Sequence, residues 1–173
     1  FLEAAARLVR GSGRRMRVNL NVDWFRPEEE RPRSRRLAYP ANIDFDWRAW
    51  VDGGLMDEAV LRPFAKPFAG IFSDDPVARD MTGACNRRGI PVTVNRYVWM
   101  NEGLAGEFER VHDDGRFAGF ILYETWSYLE FTPDRQCLPV REGAGASGPV
   151  RAGKVVSASA VDDVCERWNV LRR

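Results

Sequence analysis

Apolar residues gather in four short stretches of this chain, at 16–22, 55–61, 90–96 and 117–123. The first alternates cleanly. Met16, Val18, Leu20 and Val22 fall on one face, and Arg17, Asn19, Asn21 and Asp23 on the other, the period of a strand with one apolar side. The other three are apolar runs bounded by glycine, proline or polar residues, and they read as strands too. Helical patterns separate them. Residues 2–10 form a helix ended by Gly11-Ser12-Gly13. Residues 46–52 form a short one with Trp47, Trp50 and Val51 on its apolar side, stopped by Gly53-Gly54. Ser73-Asp74-Asp75-Pro76 supplies a capping side chain and a first-turn proline for a helix reaching Arg88. Asn101 caps a further helix through Val111.

Strand, helix, strand predicts a parallel sheet, because parallel neighbours need a crossover of a dozen or more residues. The strand starts fall roughly 27 to 40 residues apart, against about 30 per unit in a (β/α)8 barrel of about 250 residues. This predicts about four β/α units, half of a TIM-type barrel, over residues 1–132. Residues 133–173 form a C-terminal extension with a flexible glycine-rich segment at 142–149, an edge strand at 150–156 and a terminal helix at 161–171. The chain opens with Phe1-Leu2-Glu3-Ala4-Ala5-Ala6, which reads as the interior of a helix without a start methionine, so whatever preceded it, any export signal included, is missing from view. Half a barrel leaves two strand edges open. Its expected partner is therefore the missing N-terminal half or a second copy.

Composition narrows the function classes. The 173 residues carry 26 basic and 25 acidic side chains, a net charge of +1, so no broad basic footprint for nucleic acid exists. No apolar run reaches the ~18 residues of a membrane span. Cys85, Cys137 and Cys165 are odd in number and far apart, a pattern of neither a disulfide framework nor a zinc site. His112 is the only histidine, late in a helix beside Asp113 and Asp114, which suits a partner for the helix dipole and weakens metal-dependent hydrolysis. The two lysines, Lys66 and Lys154, close no strand, which weakens Schiff-base chemistry. Neither a metal nor a cofactor is expected.

Polar residues close the strands, where folds of this kind keep their chemistry. Asp23 and Glu124 are the carboxylates at such ends. A pair of this type is what glycosidic hydrolysis needs, one to protonate the leaving oxygen and one to attack or to activate water. Trp24, Trp99 and Trp126 each follow a strand and offer flat faces for sugar rings; the alternative is that they pack the barrel mouth. Asn19 and Asn21 line the polar face of the first strand, as ligand contacts or as a hydrogen-bonded polar plug. Asn95 and Arg96 end the third strand. Neighbouring strand residues point to opposite faces, so Asn95 is the one expected inward, with Arg96 pairing an acid on a neighbouring loop.

Asp46-Trp47-Arg48-Ala49-Trp50-Val51-Asp52-Gly53-Gly54-Leu55-Met56-Asp57-Glu58 resembles the W–V–x–x–G–L–(hydrophobic)–D segment of bacterial glycosyl-hydrolase-like proteins related to family 10. Phe120-Ile121-Leu122-Tyr123-Glu124, after Ala118-Gly119, resembles their last barrel strand. The resemblance spans residues 17–131 and implies that these strands are five to eight of the barrel, its C-terminal half, in a protein that acts on carbohydrate. It also marks a departure. In the large retaining families of this fold the acid/base follows strand four and the nucleophile ends strand seven, whereas the third strand here ends Asn95-Arg96-Tyr97 without a carboxylate. The expected reaction is hydrolysis of a glycosidic bond with Asp23 and Glu124 as the acids. The pocket is expected to be built from Asn19, Asn21, Trp24, Asn95, Arg96, Trp99 and Trp126. The alternatives are a carbohydrate-binding or structural barrel without turnover, and a different barrel enzyme such as an aldolase or metal-dependent hydrolase.

Overall fold

Helix α1 (Leu2–Gly11) leads into strand β1 (Arg17–Asn21), and α2 (Trp47–Asp52) into β2 (Glu58–Arg62). Helix α3 (Pro76–Arg87) precedes β3 (Val92–Tyr97), and α4 (Leu104–Asp113) precedes β4 (Gly119–Tyr123). A hairpin of β5 (Leu129–Phe131) and β6 (Cys137–Pro139) and a last helix, α5 (Ala158–Leu171), complete the order. The computed structural model describes residues 1–25, 46–63, 70–97, 103–123, 129–134, 136–139 and 158–171.

β1 to β4 form one parallel sheet in sequential order, each strand beside its successor in the chain. This is a mixed α/β architecture with a four-stranded parallel sheet. Two helix starts form as the local chemistry requires. Asp46 Oδ1 accepts from Ala49 N at 2.9 Å to cap α2, and the Asp75 side chain accepts from Val77 N and Ala78 N to cap α3, with Pro76 in the first turn.

Strand bounds differ from the sequence pattern in ways that matter for the site. β1 stops at Asn21, and Val22–Phe25 turns into a 3-10 helix, so Asp23 leaves the strand's alternation. β2 begins at Glu58, three residues later than the apolar run, because residues 53–55 are used in closing α2. Gly53 N donates to Ala49 O, Leu55 N donates to Trp50 O, and Gly54 takes a φ of 61°. Arg62 is consequently the last residue of β2 rather than the first beyond it. Asn101 and the expected strand at 150–156 lie outside the described residues. Helix α4 starts after Gly103, whose φ is 71° and where a Cβ would stand 2.3 Å from Gly70 O; only glycine permits that crossing. The hairpin β5–β6, which straddles the expected boundary between residues 132 and 133, went unread because three-residue strands are too short to show a period.

One face of the sheet carries the helices. Leu20, Ala59, Leu61, Val92 and Val94 pack against Trp47 and Val51 of α2 and Ala78, Met81 and Cys85 of α3, in a single buried cluster. Positions 78, 81, 82 and 85 recur at the three- and four-residue spacing of a helix face. A second cluster joins Phe120 and Leu122 of β4 to Leu104 and Phe108 of α4 and Val164 and Cys165 of α5.

Candidate functional site

The site is built from the sheet face opposite α2 and α3, open in the sense that those helices do not pack on it, although Val60, Thr93, Asn95 and Tyr97 on it are buried. Register puts Arg17, Asn19 and Asn21 of β1 beside Glu58, Val60 and Arg62 of β2. Val60 pairs with Thr93, so Thr93, Asn95 and Tyr97 share that side, followed by Gly119, Ile121 and Tyr123 of β4. Two layers with opposite character follow along this face.

The layer near the strand starts is closed by its own bonds. Glu58 accepts from Arg17 Nη2 at 2.9 Å and from Thr93 Oγ1 at 2.7 Å, linking three strands. Just outside it, Asp57 accepts from Met16 N and from Arg10, and these donors hold its carboxyl below the ordinary carboxylate range.

The layer near the strand ends is different. Asn21 is paired with Arg62, and one step beyond the Leu61–Val94 pair the register brings Arg62 level with Asn95. At a strand spacing of about 4.8 Å, the Asn21 and Asn95 backbones stand roughly 10 Å apart with Arg62 between them. Both asparagines are buried, 3% and 4% exposed. Neither the nitrogen nor the oxygen of the Asn21 carboxamide has a hydrogen-bond partner among the described residues, and Asn95 Oδ1 has none either. Buried polar atoms are nearly always matched; Ser73 Oγ and Arg110 Nε are exceptions elsewhere among the described residues, and the three at Asn21 and Asn95 stand out by lying on one level. Aromatic rings border it. Tyr97 and Tyr123 meet edge to face at 5.0 Å, and the Arg62 guanidinium lies 6.0 Å from the Tyr97 ring centre.

The residues singled out from the sequence fall as follows. Asn19, Asn21 and Asn95 share the open face, Asn19 exposed and the other two buried. Asp23, buried, and Trp24, half-buried, sit in the 3-10 turn just past β1, at the same rim. Trp99, Glu124 and Trp126 lie outside the described residues. Arg96 points the other way. It pairs in register with Leu122 on the helix-covered side, is 0% exposed, and donates from Nη1 to Glu107 Oε2 at 2.9 Å and to Gly70 O at 3.3 Å. Glu107, equally buried on α4, also accepts from Phe72 N and from Ser73 N. Burial pulls the Arg96 pKa below its ordinary value and Glu107 raises it back. The pair clamps the approach to α3 onto α4; it is architecture, remote from the open face.

Sequence reasoning left Arg62 and Tyr97 out of the pocket although both close strands and period two groups Arg62 with Glu58 and Tyr97 with Asn95, because the apolar run of β2 shows no alternation to mark its polar face. Glu107 carried no signal beyond a helical acid. A separate groove of about 360 Å³ lies on the helix side between α4, β4 and α5, lined by Phe108, Phe117, Phe120 and Trp168. That lining offers a hydroxylated ligand few partners. Among the described residues no group of three His, Cys, Asp or Glu side chains could hold a metal ion, and no helix is long and apolar enough to cross a membrane. Comparison with protein families, with curated proteins and with solved structures finds no match to this chain.

Proposed function

We propose that the open face binds carbohydrate, in a glycoside-hydrolase-like (β/α)8 barrel of which this sheet is the C-terminal half. The observation that carries the proposal is the pair of buried carboxamides, Asn21 and Asn95, with unmatched donor and acceptor atoms either side of Arg62. Carboxamides both donate and accept, as sugar hydroxyls do, and Tyr97 and Tyr123 provide apolar borders for the CH faces of a ring. The segment 46–58, with its likeness to family 10 relatives, supports the same class. Hydrolysis would fall to Asp23 and Glu124, one as acid and one as nucleophile or base.

A panel of soluble oligosaccharides, screened by array and then by calorimetry, tests the binding reading. Asn21→Ala and Asn95→Ala are each expected to weaken a bound glycan about tenfold, the value of one good hydrogen bond. Absence of any glycan binding, or binding indifferent to both substitutions, would overturn it. Release of reducing ends, abolished by Asp23→Asn and by Glu124→Gln with binding kept, is the expected sign of hydrolysis. Binding without release would favour the non-catalytic alternative, which the Asn95-Arg96-Tyr97 ending of β3 already supports by its lack of a carboxylate.

The half-barrel has its own test. Among the described residues β1 and β4 each pair on one side only, whereas a closed barrel has no edges. Four further strands, from a preceding segment or a second copy, would complete it. Sedimentation of the purified chain is expected to show self-association, and a compact, cooperatively melting monomer would count against the half-barrel.

A further inference from the structure

Far from the open face, the hairpin and the last helix meet at two cysteines that the sequence keeps apart. Cys137 opens β6 and Cys165 lies on α5, 28 residues later. Their sulfurs are 3.1 Å apart, and both residues are buried, 1% and 4% exposed. They are not bonded to each other. A disulfide bond is about 2.05 Å, so an approach of about 1 Å would join them.

A second contact shows that the junction is built rather than incidental. Asn169 lies one helical turn after Cys165, on the same side of α5. Its Oδ1 accepts from Cys137 N at 2.8 Å and its Nδ2 donates to Cys137 O at 2.9 Å. Both backbone groups of Cys137 are thus taken up by a side chain of the helix that carries Cys165. This fixes the Cys137 backbone against α5 and leaves the two thiols facing each other within the cluster that also holds Leu104, Phe108 and Leu129.

We infer that Cys137 and Cys165 form a reversible disulfide that staples the β5–β6 hairpin to α5. The oxidant is a low-molecular-weight disulfide such as oxidised glutathione. One cysteine thiolate attacks it and releases one glutathione thiolate; the second cysteine thiolate attacks the resulting mixed disulfide and releases the other. One S–S bond forms as one breaks, two protein thiols are oxidised, and their two protons end on the released glutathiones. Burial, followed by the neighbouring Cys165, raises the Cys137 pKa, so the attacking thiolate is scarce while the junction is closed. Bond formation is therefore fast during folding or local opening of α5 and slow in the closed protein. Cys85 belongs to the other core cluster, with a thiol pushed up to about 11 by burial, and serves as an internal control.

The experiment is to refold the full chain in a glutathione buffer of oxidising or reducing ratio, then unfold, alkylate and map the peptides. Under oxidising conditions two of the three thiols are expected to resist alkylation, with a mass loss of about 2 Da and a cross-linked peptide containing Cys137 and Cys165. The melting temperature should rise by roughly 5–10 °C, reversed by reductant. Cys85→Ser should keep all of this, and Cys137→Ser or Cys165→Ser should lose it. Three alkylatable thiols after oxidising refolding, a cross-link through Cys85, or a cross-link without a rise in melting temperature would each overturn the inference.

Discussion

Buried polar groups on the two faces of the parallel sheet are matched to different degrees. On the helix-covered face, Arg96 and Glu107 are both fully buried, and the acid is satisfied by a guanidinium and two backbone amides, although Arg96 Nε and Ser73 Oγ beside it make no hydrogen bond among the described residues. On the open face, Asn21 and Asn95 are almost as buried, yet carboxamide atoms of both lack partners among the described residues. Burial alone therefore does not identify a site. A matched buried group has been absorbed by the architecture, whereas an unmatched one carries a desolvation cost of about 1–3 kcal/mol that a ligand could offset. That contrast is why Arg96 belongs to the scaffold while its neighbour Asn95 belongs to the candidate site.

The contrast breaks most visibly at the clamp. Glu107→Ala leaves the Arg96 guanidinium buried without its anion and strips acceptors from Phe72 N and Ser73 N. Urea denaturation should show a loss of about 3–5 kcal/mol, enough to unfold many domains of this size. If the loss were below about 1 kcal/mol, the matched group would not be structural and the distinction between the faces would fail.

On the open face the opposite sign is expected. Asn95→Leu keeps the branched shape, with bulkier methyl ends, and removes atoms that the fold does not satisfy, so stability should rise by about 1 kcal/mol, less any cost of overpacking, while glycan binding falls. Asn21→Leu should behave alike, with both carboxamide atoms relieved. A gain in melting temperature with a loss of binding is the joint signature of a site kept at the fold's expense. Destabilisation comparable to that of Glu107→Ala would mean that these amides are matched in the protein and that the face is core.

How much of this contrast could be read beforehand follows from the same residues. Strand parity alone separated Asn95 from Arg96, and the capping side chain and first-turn proline of Ser73-Asp74-Asp75-Pro76 placed α3, because period and cap chemistry are local properties. Parallel order β1-β2-β3-β4 also followed from spacing. What could not be read is long-range. The neighbours of Arg62 depend on the register of β2 with β1 and β3, which no local pattern sets. An acid partner for Arg96 was expected on a neighbouring loop; it sits instead on α4, 11 residues away, as Glu107. The approach of Cys137 to Cys165 depends on a hairpin whose strands are three residues each. Asp23 was legible as a strand-end acid but not as part of a 3-10 turn, since one residue of slip at Asn21 decides between the two.

Within the open face a finer comparison holds between its two layers. Near the strand starts, Thr93 Oγ1 donates to Glu58 at 2.7 Å and completes a matched set with Arg17. Thr93→Val preserves shape and removes that donor, so it should cost about 1 kcal/mol. Asn95→Leu, two residues along the same strand and on the same face, should be stabilising. Opposite signs at positions 93 and 95, measured in one denaturation series, would place the boundary between scaffold and site between them. Equal signs would erase it.

The smallest expected effect lies at the rim where the strands begin, and it appears in acid. Asp57 precedes β2 and Asp114 precedes β4. Asp57 is held low by the Met16 amide and by Arg10; Asp114 is held at about 2, chiefly by its hydrogen bonds to Arg116, with the Arg116 amide and Arg110 adding to it. Both folded values lie below the unfolded ones, so each carboxylate binds protons more readily in the unfolded chain. Their contribution to stability is therefore fully present above the unfolded value near 3.8 and is lost as pH falls through the folded value. Because the Asp114 partners are partly solvated, the loss should be about 1 kcal/mol or less between pH ~4 and ~2. Urea midpoints measured down that range should fall less steeply in Asp114→Asn than in the wild type, with a smaller change for Asp57→Asn. If neither substitution flattened that fall, these two carboxylates would not be holding the rim where the strands begin.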